Sequence, residues 1–210
     1  MASPAKMKVY TEVRRAFVPL TVRLVNGHIT PNNLTVAGLA LNVAAAPLIV
    51  SGHFIWALVV FLLAGICDML DGAVARMSEQ VTPFGAFLDS TSDRVAEGVV
   101  LGAVAIWFAR QGLYFEVGAV FVALVASFLV SYTRARAEAL GLECKVGLMS
   151  RPERIVLLAV GLLFAPHFHA LSVVIYALAG LTSFTVLQRI LHVRHQLLHR
   201  GQADAGHGQH

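Results

Sequence analysis

The chain has 210 residues, of which 57% are hydrophobic and only 13% are charged, and its mean hydropathy is +0.72. Average soluble domains carry about a quarter charged residues, so this composition argues against a soluble globule, a disordered chain or a secreted protein. Its two cysteines, Cys67 in an apolar stretch and Cys144 in a polar one, exclude a disulfide framework. The sequence therefore predicts one membrane-embedded domain.

The distribution of charge predicts how the chain is oriented. Sixteen Lys and Arg stand against twelve Asp and Glu, a net charge of +4, which in a soluble protein would suggest nucleic acid. In a membrane protein, basic residues instead gather at the cytoplasmic ends of the spans. With the N-terminus in the cytoplasm, Arg110 alone among the basic residues falls outside. We therefore expect a plasma-membrane protein with both termini in the cytoplasm, an even number of spans and no nucleic-acid partner.

Residues 1–29 are predicted to be a cytoplasmic and interfacial segment. Between residues 9 and 25, apolar side chains recur at near-helical spacing beside Arg14, Arg15 and Arg23. This pattern is typical of an amphipathic helix lying among lipid headgroups. A cleaved signal peptide is the alternative, but the stretch has no continuous apolar core and no small-residue cleavage site.

Residues 30–191 are predicted to form an all-α integral membrane domain with six transmembrane helices. The expected spans are residues 34–50, 54–74, 84–108, 114–132, 154–164 extended upstream by about a turn, and 170–190. Pro152 suits the first turn of the short fifth helix, and Thr30 and Pro31 predict the N-cap and first residue of the first helix. Residues 192–210 are expected to be a polar, His-rich, flexible tail.

Four carboxylates stand where the second span ends and the third begins. Asp68 and Asp71 are three residues apart and Asp89 and Asp93 four apart, so each pair occupies one helix face and an antiparallel hairpin brings the faces together. An unpaired Asp at a span centre costs about 2.5 to 3.5 kcal/mol. Divalent cations that prefer oxygen ligands would neutralise the negative charge of the four carboxylates. We therefore predict one or two Mg²⁺ or Mn²⁺ ions. Ion pairs with arginine, or polar contacts between helices, are the alternative.

Residues 68–93 read Asp-x2-Asp-Gly-x2-Ala-Arg-x8-Gly-x3-Asp-x3-Asp. This pattern resembles the signature of the CDP-alcohol phosphatidyltransferase family at every fixed position. The resemblance implies a homodimeric enzyme that transfers a phosphatidyl group from CDP-diacylglycerol to an alcohol and releases CMP. It implies a two-ion metal site at Asp68, Asp71, Asp89 and Asp93, with Asp93 also the general base. The residues that it implies for binding the CDP-lipid are Asn32, Thr35, Gly72, Ala75, Arg76 and Gly85.

A second cluster lies at the inner ends of the fourth and fifth spans. It reads Ser-Tyr-Thr-Arg-Ala-Arg-Ala-Glu over residues 131–138 and Arg-Pro-Glu-Arg over residues 151–154. Planar guanidinium groups suit phosphate oxygens, so the acceptor is predicted to carry a phosphate. The residues expected to bind it are Ser131, Arg134, Arg151, Arg154 and Arg189. This cluster and the stretch 89–94 resemble the family members that use inositol 1-phosphate, and glycerol 3-phosphate is the alternative acceptor.

A divalent-cation transporter or channel is a function of a different class that also places carboxylates in membrane spans. It predicts acids near the bilayer centre on several helices. Here the acids lie on one hairpin near its inner end, beside Arg76 and Arg94, which would repel a cation. The pattern therefore favours the transferase.

Overall fold

The computed structural model describes residue 22 and residues 30–166 and 169–207, with side chains up to residue 199. Within these ranges it contains helices and no strand. The helices are α1 Pro31–Val50, α2 Phe54–Met77, α3 Pro83–Arg110, α4 Tyr114–Ala139, α5 Arg151–Phe164 and α6 Ala170–His207. The all-α prediction is confirmed for this part of the chain. The interfacial helix predicted for residues 9–25 lies outside the described residues, Val22 excepted.

Two helices begin with the same Thr-Pro pair. The Asn33 amide donates to Thr30 Oγ1 at 3.3 Å, which confirms the predicted cap of α1. The Gly85 amide donates likewise to Thr82 Oγ1 at 3.0 Å where α3 begins. In both cases a threonine oxygen satisfies an amide in the first turn and proline follows at a position that needs no N–H.

Two helices continue beyond their predicted spans because neither meets a helix breaker there. α4 runs to Ala139 rather than ending near residue 132, and Arg134 Nε lies 2.8 Å from Glu138 Oε1 one turn later. α6 runs to His207, although its span was predicted to end at residue 190 and the tail to begin at 192. Neither Gly nor Pro occurs between residues 181 and 200, and Gln196 Nε2 donates to the Glu143 carbonyl at 2.8 Å.

In the part of the chain that the structure describes, four helices are long and apolar enough to cross a membrane: α1, α2, α4 and residues Ala170–His199 of α6. α3 has 28 residues but carries charged side chains in its first half. α5 has 14 residues, a length of about 21 Å at 1.5 Å per residue, whereas the hydrocarbon core is about 30 Å thick. Length and composition thus support four of the six predicted spans.

The first of two compact units contains the described residues up to Ala45 together with Val59–Val99. In this unit α1 and α2 approach closely at Gly38, where a Cβ would lie 3.4 Å from both the Ala64 carbonyl oxygen and the Cys67 Cβ. Its small core consists of Leu34, Leu70 and Val74, with Ile66 packed against them. The unit holds the four carboxylates of the predicted metal site on closely packed helices.

The second unit contains Ala46–Leu58 and the residues from Val100 onward. In this unit α6 packs against α4 and α5. Ala126, Val130 and Val186 form one buried cluster between α4 and α6. At the contact of α5 with α6, a Cβ on Gly161 would lie 2.8 Å from Val174 Cγ1, so the contact requires glycine. Large side chains such as Phe115, 88% exposed, point outward, as on a lipid-facing surface.

Candidate active site

Three carboxylates meet in the first unit, two from the end of α2 and one from the start of α3. One oxygen of each of Asp68, Asp71 and Asp89 lies within 4.8 Å of the others. Asp71 is 5% exposed, and the other two are half-buried. The spacing of three residues places Asp68 and Asp71 on one face of α2, as the sequence predicts.

Thr35 on α1 is hydrogen-bonded to one carboxylate of this cluster. Its hydroxyl donates to Asp71 Oδ2 at 2.7 Å and lies farther, at 3.2 Å, from the Pro31 carbonyl oxygen. Because a hydroxyl has one proton and the carboxylate is the nearer and stronger acceptor, the bond to Asp71 is the dominant one. The family resemblance assigns Thr35 to the nucleotide, and sequence reasoning did not anticipate its contact with a carboxylate 36 residues away.

The donor set fits a hard divalent cation. All the converging atoms are carboxylate oxygens, which Mg²⁺ and Mn²⁺ prefer. In an octahedral shell with bonds of about 2.1 Å, ligand oxygens lie roughly 3 to 4 Å apart. An upper separation of 4.8 Å thus needs only small side-chain rotations to reach that geometry.

Asp93, the fourth predicted ligand, is not one of the three residues that converge. It lies one helical turn after Asp89 on α3 and is half-buried. It has an interaction partner of its own. The structure therefore separates a group of three close carboxylates from a fourth one turn away, and the predicted roles of Asp93 as ligand and base stay predictions.

A cavity of about 340 Å³ opens beside the carboxylates in the first unit. Asp71 and Asp89 form part of its wall. All six residues predicted to bind the CDP-lipid also line it, namely Asn32, Thr35, Gly72, Ala75, Arg76 and Gly85. Pro31, predicted only as a helix start, also lines the cavity, and the sequence did not indicate the remaining lining residues, Gln80, Val81, Thr82 and Ala86. The Thr-Pro helix start at residue 82 is the one signal that could have found them.

Small residues keep this cavity open. A Cβ on Gly85 would lie 3.0 Å from Thr82 Oγ1 and 3.4 Å from Asn32 Oδ1. A Cβ on Gly72 would lie 3.3 Å from Arg76 Nη1. Both glycines therefore clear space next to polar groups that line the cavity, as the sequence predicts.

The turn after α2 brings the next residues to the cavity wall. Glu79 has a positive φ of 55°, and the Gln80 amide donates to the Ala75 carbonyl at 3.0 Å. This closure of a helix C-terminus by a left-handed residue is usually made by glycine or asparagine. It reverses the chain so that Gln80 and Val81 join the lining.

The predicted acceptor arginines lie in the second unit, and two of them are buried. Arg154 is 4% exposed and Arg189 5% exposed. Arg154 Nη1 donates to the Met149 carbonyl at 3.2 Å. Arg189 donates from Nε to the Val146 carbonyl at 3.0 Å and from Nη1 to the Val130 carbonyl. Both side chains therefore bind the backbone of the segment between α4 and α5, in addition to any ligand that they bind.

The other three members of this predicted set are more accessible. Arg134 is exposed and pairs with Glu138 at 2.8 Å, while Ser131 and Arg151 are half-buried. Arg134 and Arg154 both lie within electrostatic range of Arg189. The structure thus brings three of the predicted arginines close together, with Glu138 among them.

Comparison with known proteins identifies the family. Residues 28–187 match the family model described as CDP-alcohol phosphatidyltransferase. The chain belongs to the CDP-alcohol phosphatidyltransferase family. The match spans the carboxylates, the cavity and the predicted acceptor residues from Ser131 to Arg154, and it ends two residues before Arg189. It identifies the chain as an enzyme and an integral membrane protein.

Relatives of this family member include two that are named for a phosphoinositol product. The phosphatidylinositol phosphate synthase of Corynebacterium glutamicum is 40% identical over 183 residues, covering 82% of this chain and 81% of the relative. The archaetidylinositol phosphate synthase of Methanothermobacter thermautotrophicus is 37% identical over 188 residues, covering 88% and 92%. The similarity therefore extends over at least four-fifths of the length of both relatives.

Solved structures of the Mycobacterium tuberculosis phosphatidylinositol phosphate synthase have the same fold. The crystal structure with CDP-DAG bound has a TM-score of 0.80 and 34% identity, covering 85% of this chain and 94% of that one. The crystal structure in complex with manganese and citrate has a TM-score of 0.75 and 35% identity, covering 83% and 87%. A homologous fold is thus known to bind both a CDP-lipid and a divalent metal.

Proposed function

We propose that this protein transfers the phosphatidyl group of CDP-diacylglycerol to inositol 1-phosphate, forming phosphatidylinositol phosphate and CMP. The observation that carries the proposal is one cavity lined both by Asp71 and Asp89 of the carboxylate cluster and by every residue expected to bind the CDP-lipid. The relatives at 37% and 40% identity are named for the corresponding inositol phosphate products.

The carboxylate cluster binds and aligns the pyrophosphate of the donor lipid. Asp68, Asp71 and Asp89 would hold Mg²⁺ or Mn²⁺, two ions in all with Asp93, and the ions would supply neutralisation of the pyrophosphate and of the departing CMP. Thr35 fixes the orientation of Asp71 through its hydrogen bond. Arg76 lines the cavity in the last turn of α2 and presents a planar fork to phosphate oxygens.

The reaction needs a base at the acceptor hydroxyl. We assign this role to Asp93, one turn beyond Asp89. Its carboxylate takes the proton of the acceptor hydroxyl as that oxygen attacks the phosphorus of the phosphatidyl group. A new P–O bond forms, the bond between that phosphorus and the CMP oxygen breaks, and CMP leaves with the electron pair.

The phosphate of the acceptor binds the arginine cluster of the second unit. The assigned residues are Ser131, Arg134, Arg151, Arg154 and Arg189. The ion pair of Arg134 with Glu138 is exposed on both sides, and exposed pairs contribute little stability. A phosphate can therefore replace Glu138 as the partner of Arg134 at small cost.

We also propose a membrane topology and an oligomeric state, which the family and the charge pattern support. Six helices cross the plasma membrane, with both termini and the carboxylate cluster on the cytoplasmic side, and two copies form a homodimer. The positions of the basic residues favour this orientation, and the charged first half of α3 lies with the carboxylates at the cytoplasmic end.

The test is a reconstitution with purified protein, CDP-diacylglycerol and Mg²⁺. Inositol 1-phosphate, glycerol 3-phosphate, free inositol and no acceptor are compared for CMP release, and the lipid products are identified by mass. We expect a phosphatidylinositol phosphate product with inositol 1-phosphate only, and its loss in EDTA and in Asp71→Asn. Product with glycerol 3-phosphate in place of inositol 1-phosphate would reject the acceptor, and CMP release unaffected by Asp71→Asn would reject the site.

A further inference from the structure

The segment between α4 and α5, residues 141–150, is bonded to one side of α6. Four side chains of α6 bind its backbone. Gln196 Nε2 donates to the Glu143 carbonyl at 2.8 Å and Arg189 Nε donates to the Val146 carbonyl at 3.0 Å. Gln188 Oε1 accepts from the Leu148 amide at 3.3 Å and Thr185 Oγ1 accepts from the Met149 amide at 3.0 Å. The segment is therefore held to α6 at residues 143, 146, 148 and 149. Such a segment has few alternative positions.

Glycine at position 147 allows this close approach. Gly147 has a φ of +127°, and a Cβ there would lie 2.5 Å from Thr185 Cγ2. No side chain fits that gap, since real Cβ atoms do not approach other heavy atoms so closely. The backbone at Gly147 therefore packs directly against the side chain of Thr185.

The backbone of Met149 connects Thr185 to Arg154 through two adjacent peptide groups. On one side its buried amide donates to Thr185 Oγ1, whose own hydroxyl donates to the Leu181 carbonyl at 2.9 Å. On the other side the Met149 carbonyl accepts from Arg154 Nη1 at 3.2 Å in a buried bond. The backbone of Met149, joined through its Cα, thus links the hydrogen bonds of Thr185 on α6 to the guanidinium of Arg154 on α5.

We propose that Thr185 is a positioning residue for Arg154 and thereby for the phosphate of the acceptor. This inference rests on the acceptor site of the proposed function. The five N–H donors of a guanidinium form a rigid planar fork, so fixing Nη1 fixes the direction of the whole group. Without the Thr185 hydroxyl the Met149 amide loses this partner, and the adjacent peptide group, whose carbonyl orients Arg154, is held less firmly.

The experiment compares Thr185→Val, which keeps the shape and removes the hydroxyl, with Thr185→Ser, which keeps the hydroxyl. Thr182→Val is the matched control, because Thr182 lies one turn earlier on α6 and its buried Oγ1 has no hydrogen-bond partner among the described residues. We expect Thr185→Val to raise KM for inositol 1-phosphate about tenfold, with KM for CDP-diacylglycerol and kcat within about twofold. Thr185→Ser and Thr182→Val should resemble the wild type.

A double-mutant cycle with Arg154→Ala separates positioning from a general effect on folding. Two residues that act through one another give non-additive effects, so Thr185→Val should raise the acceptor KM no further in the Arg154→Ala background. Thr185→Ala, which adds no new packing conflict, replaces the valine variant if that variant does not fold.

The outcomes distinguish this inference from the proposed function. If Arg154→Ala raises the acceptor KM and the folded Thr185 variants do not, or if their effects add, the positioning role is wrong and the acceptor site stands. If Arg154→Ala also leaves the acceptor KM unchanged, the acceptor site of the proposed function is wrong and the positioning role is overturned with it. An equal rise in KM for both substrates in Thr185→Val likewise overturns the positioning role.

Discussion

The Thr35 hydroxyl donates a hydrogen bond of 2.7 Å to Asp71 Oδ2, and both side chains are more than nine-tenths buried. The bond joins the start of α1 to the carboxylate cluster at the end of α2. A hydrogen bond to an ionised carboxylate is stronger than a neutral one. Because Asp71 Oδ2 accepts this hydrogen bond, Thr35 also fixes the direction of Asp71 Oδ1, although Thr35 itself need not bind any ion.

Removing this hydroxyl should weaken metal binding. Loss of an outer partner of a ligating carboxylate typically costs about 10- to 100-fold in metal affinity or activity. We therefore expect Thr35→Val to raise the Mn²⁺ concentration that gives half-maximal CMP release by at least about tenfold. Thr35→Ser, which retains the donor, is the control. An unchanged Mn²⁺ requirement in a folded Thr35→Val protein contradicts the role of this bond.

Asp93 should differ in function from the three close carboxylates, and substitutions should show the difference. A carboxamide cannot accept the proton of the acceptor hydroxyl, so Asp93→Asn should bind CDP-diacylglycerol with nearly unchanged affinity and lose turnover by at least about 100-fold. Asp71→Asn, changed inside the cluster, is expected to lose lipid binding as well. Binding is measured with the purified protein and turnover by CMP release. Normal turnover of Asp93→Asn rejects Asp93 as the base.

The sequence predicts those features that depend on residues close to one another in the chain. The carboxylate spacing places Asp68 and Asp71 on one helix face, and Thr30 and Pro31 define the start of α1. The structure confirms both features. The same holds for the lining of the cavity by Gly72 and Gly85, because these lie one turn from the carboxylates on the same helices.

Contacts between distant residues could not be predicted from the sequence. The bond of Thr35 to Asp71 spans 36 residues, and that of Thr185 to Met149 also spans 36. Threonine is common in membrane helices and has no periodicity that marks a partner on another element. The continuation of α4 to Ala139, beyond its predicted span, also does not follow from hydropathy. Hydropathy falls at the membrane surface, while helix-forming Arg, Ala and Glu continue the helix.

Gly85→Ala should weaken binding of the CDP-lipid. The added Cβ would lie 3.0 Å from Thr82 Oγ1 and 3.4 Å from Asn32 Oδ1, so either the cap of α3 or the side chain of Asn32 must shift. We expect KM for CDP-diacylglycerol to rise about tenfold, with KM for inositol 1-phosphate little changed. Gly65→Ala on α2 is the matched control, because its Cβ would meet nothing within 4 Å and alanine favours the helix. Equal kinetics of the two variants would show that the space at Gly85 is not needed.

The short helix α5 provides the sharpest test of the proposed topology. Lys145 precedes it and Pro166 follows it, and both are exposed. If α5 crosses the membrane, a cysteine at position 166 should react with a membrane-impermeant maleimide in intact cells, whereas one at position 145 should react only after permeabilisation. The variants Lys145→Cys and Pro166→Cys are made in an active background with Cys67 and Cys144 replaced, and Gln111→Cys serves as the external control. Labelling of positions 145 and 166 from the same side would mean that 14 residues, about 21 Å of helix, do not span the bilayer here, and the six-helix topology would be wrong.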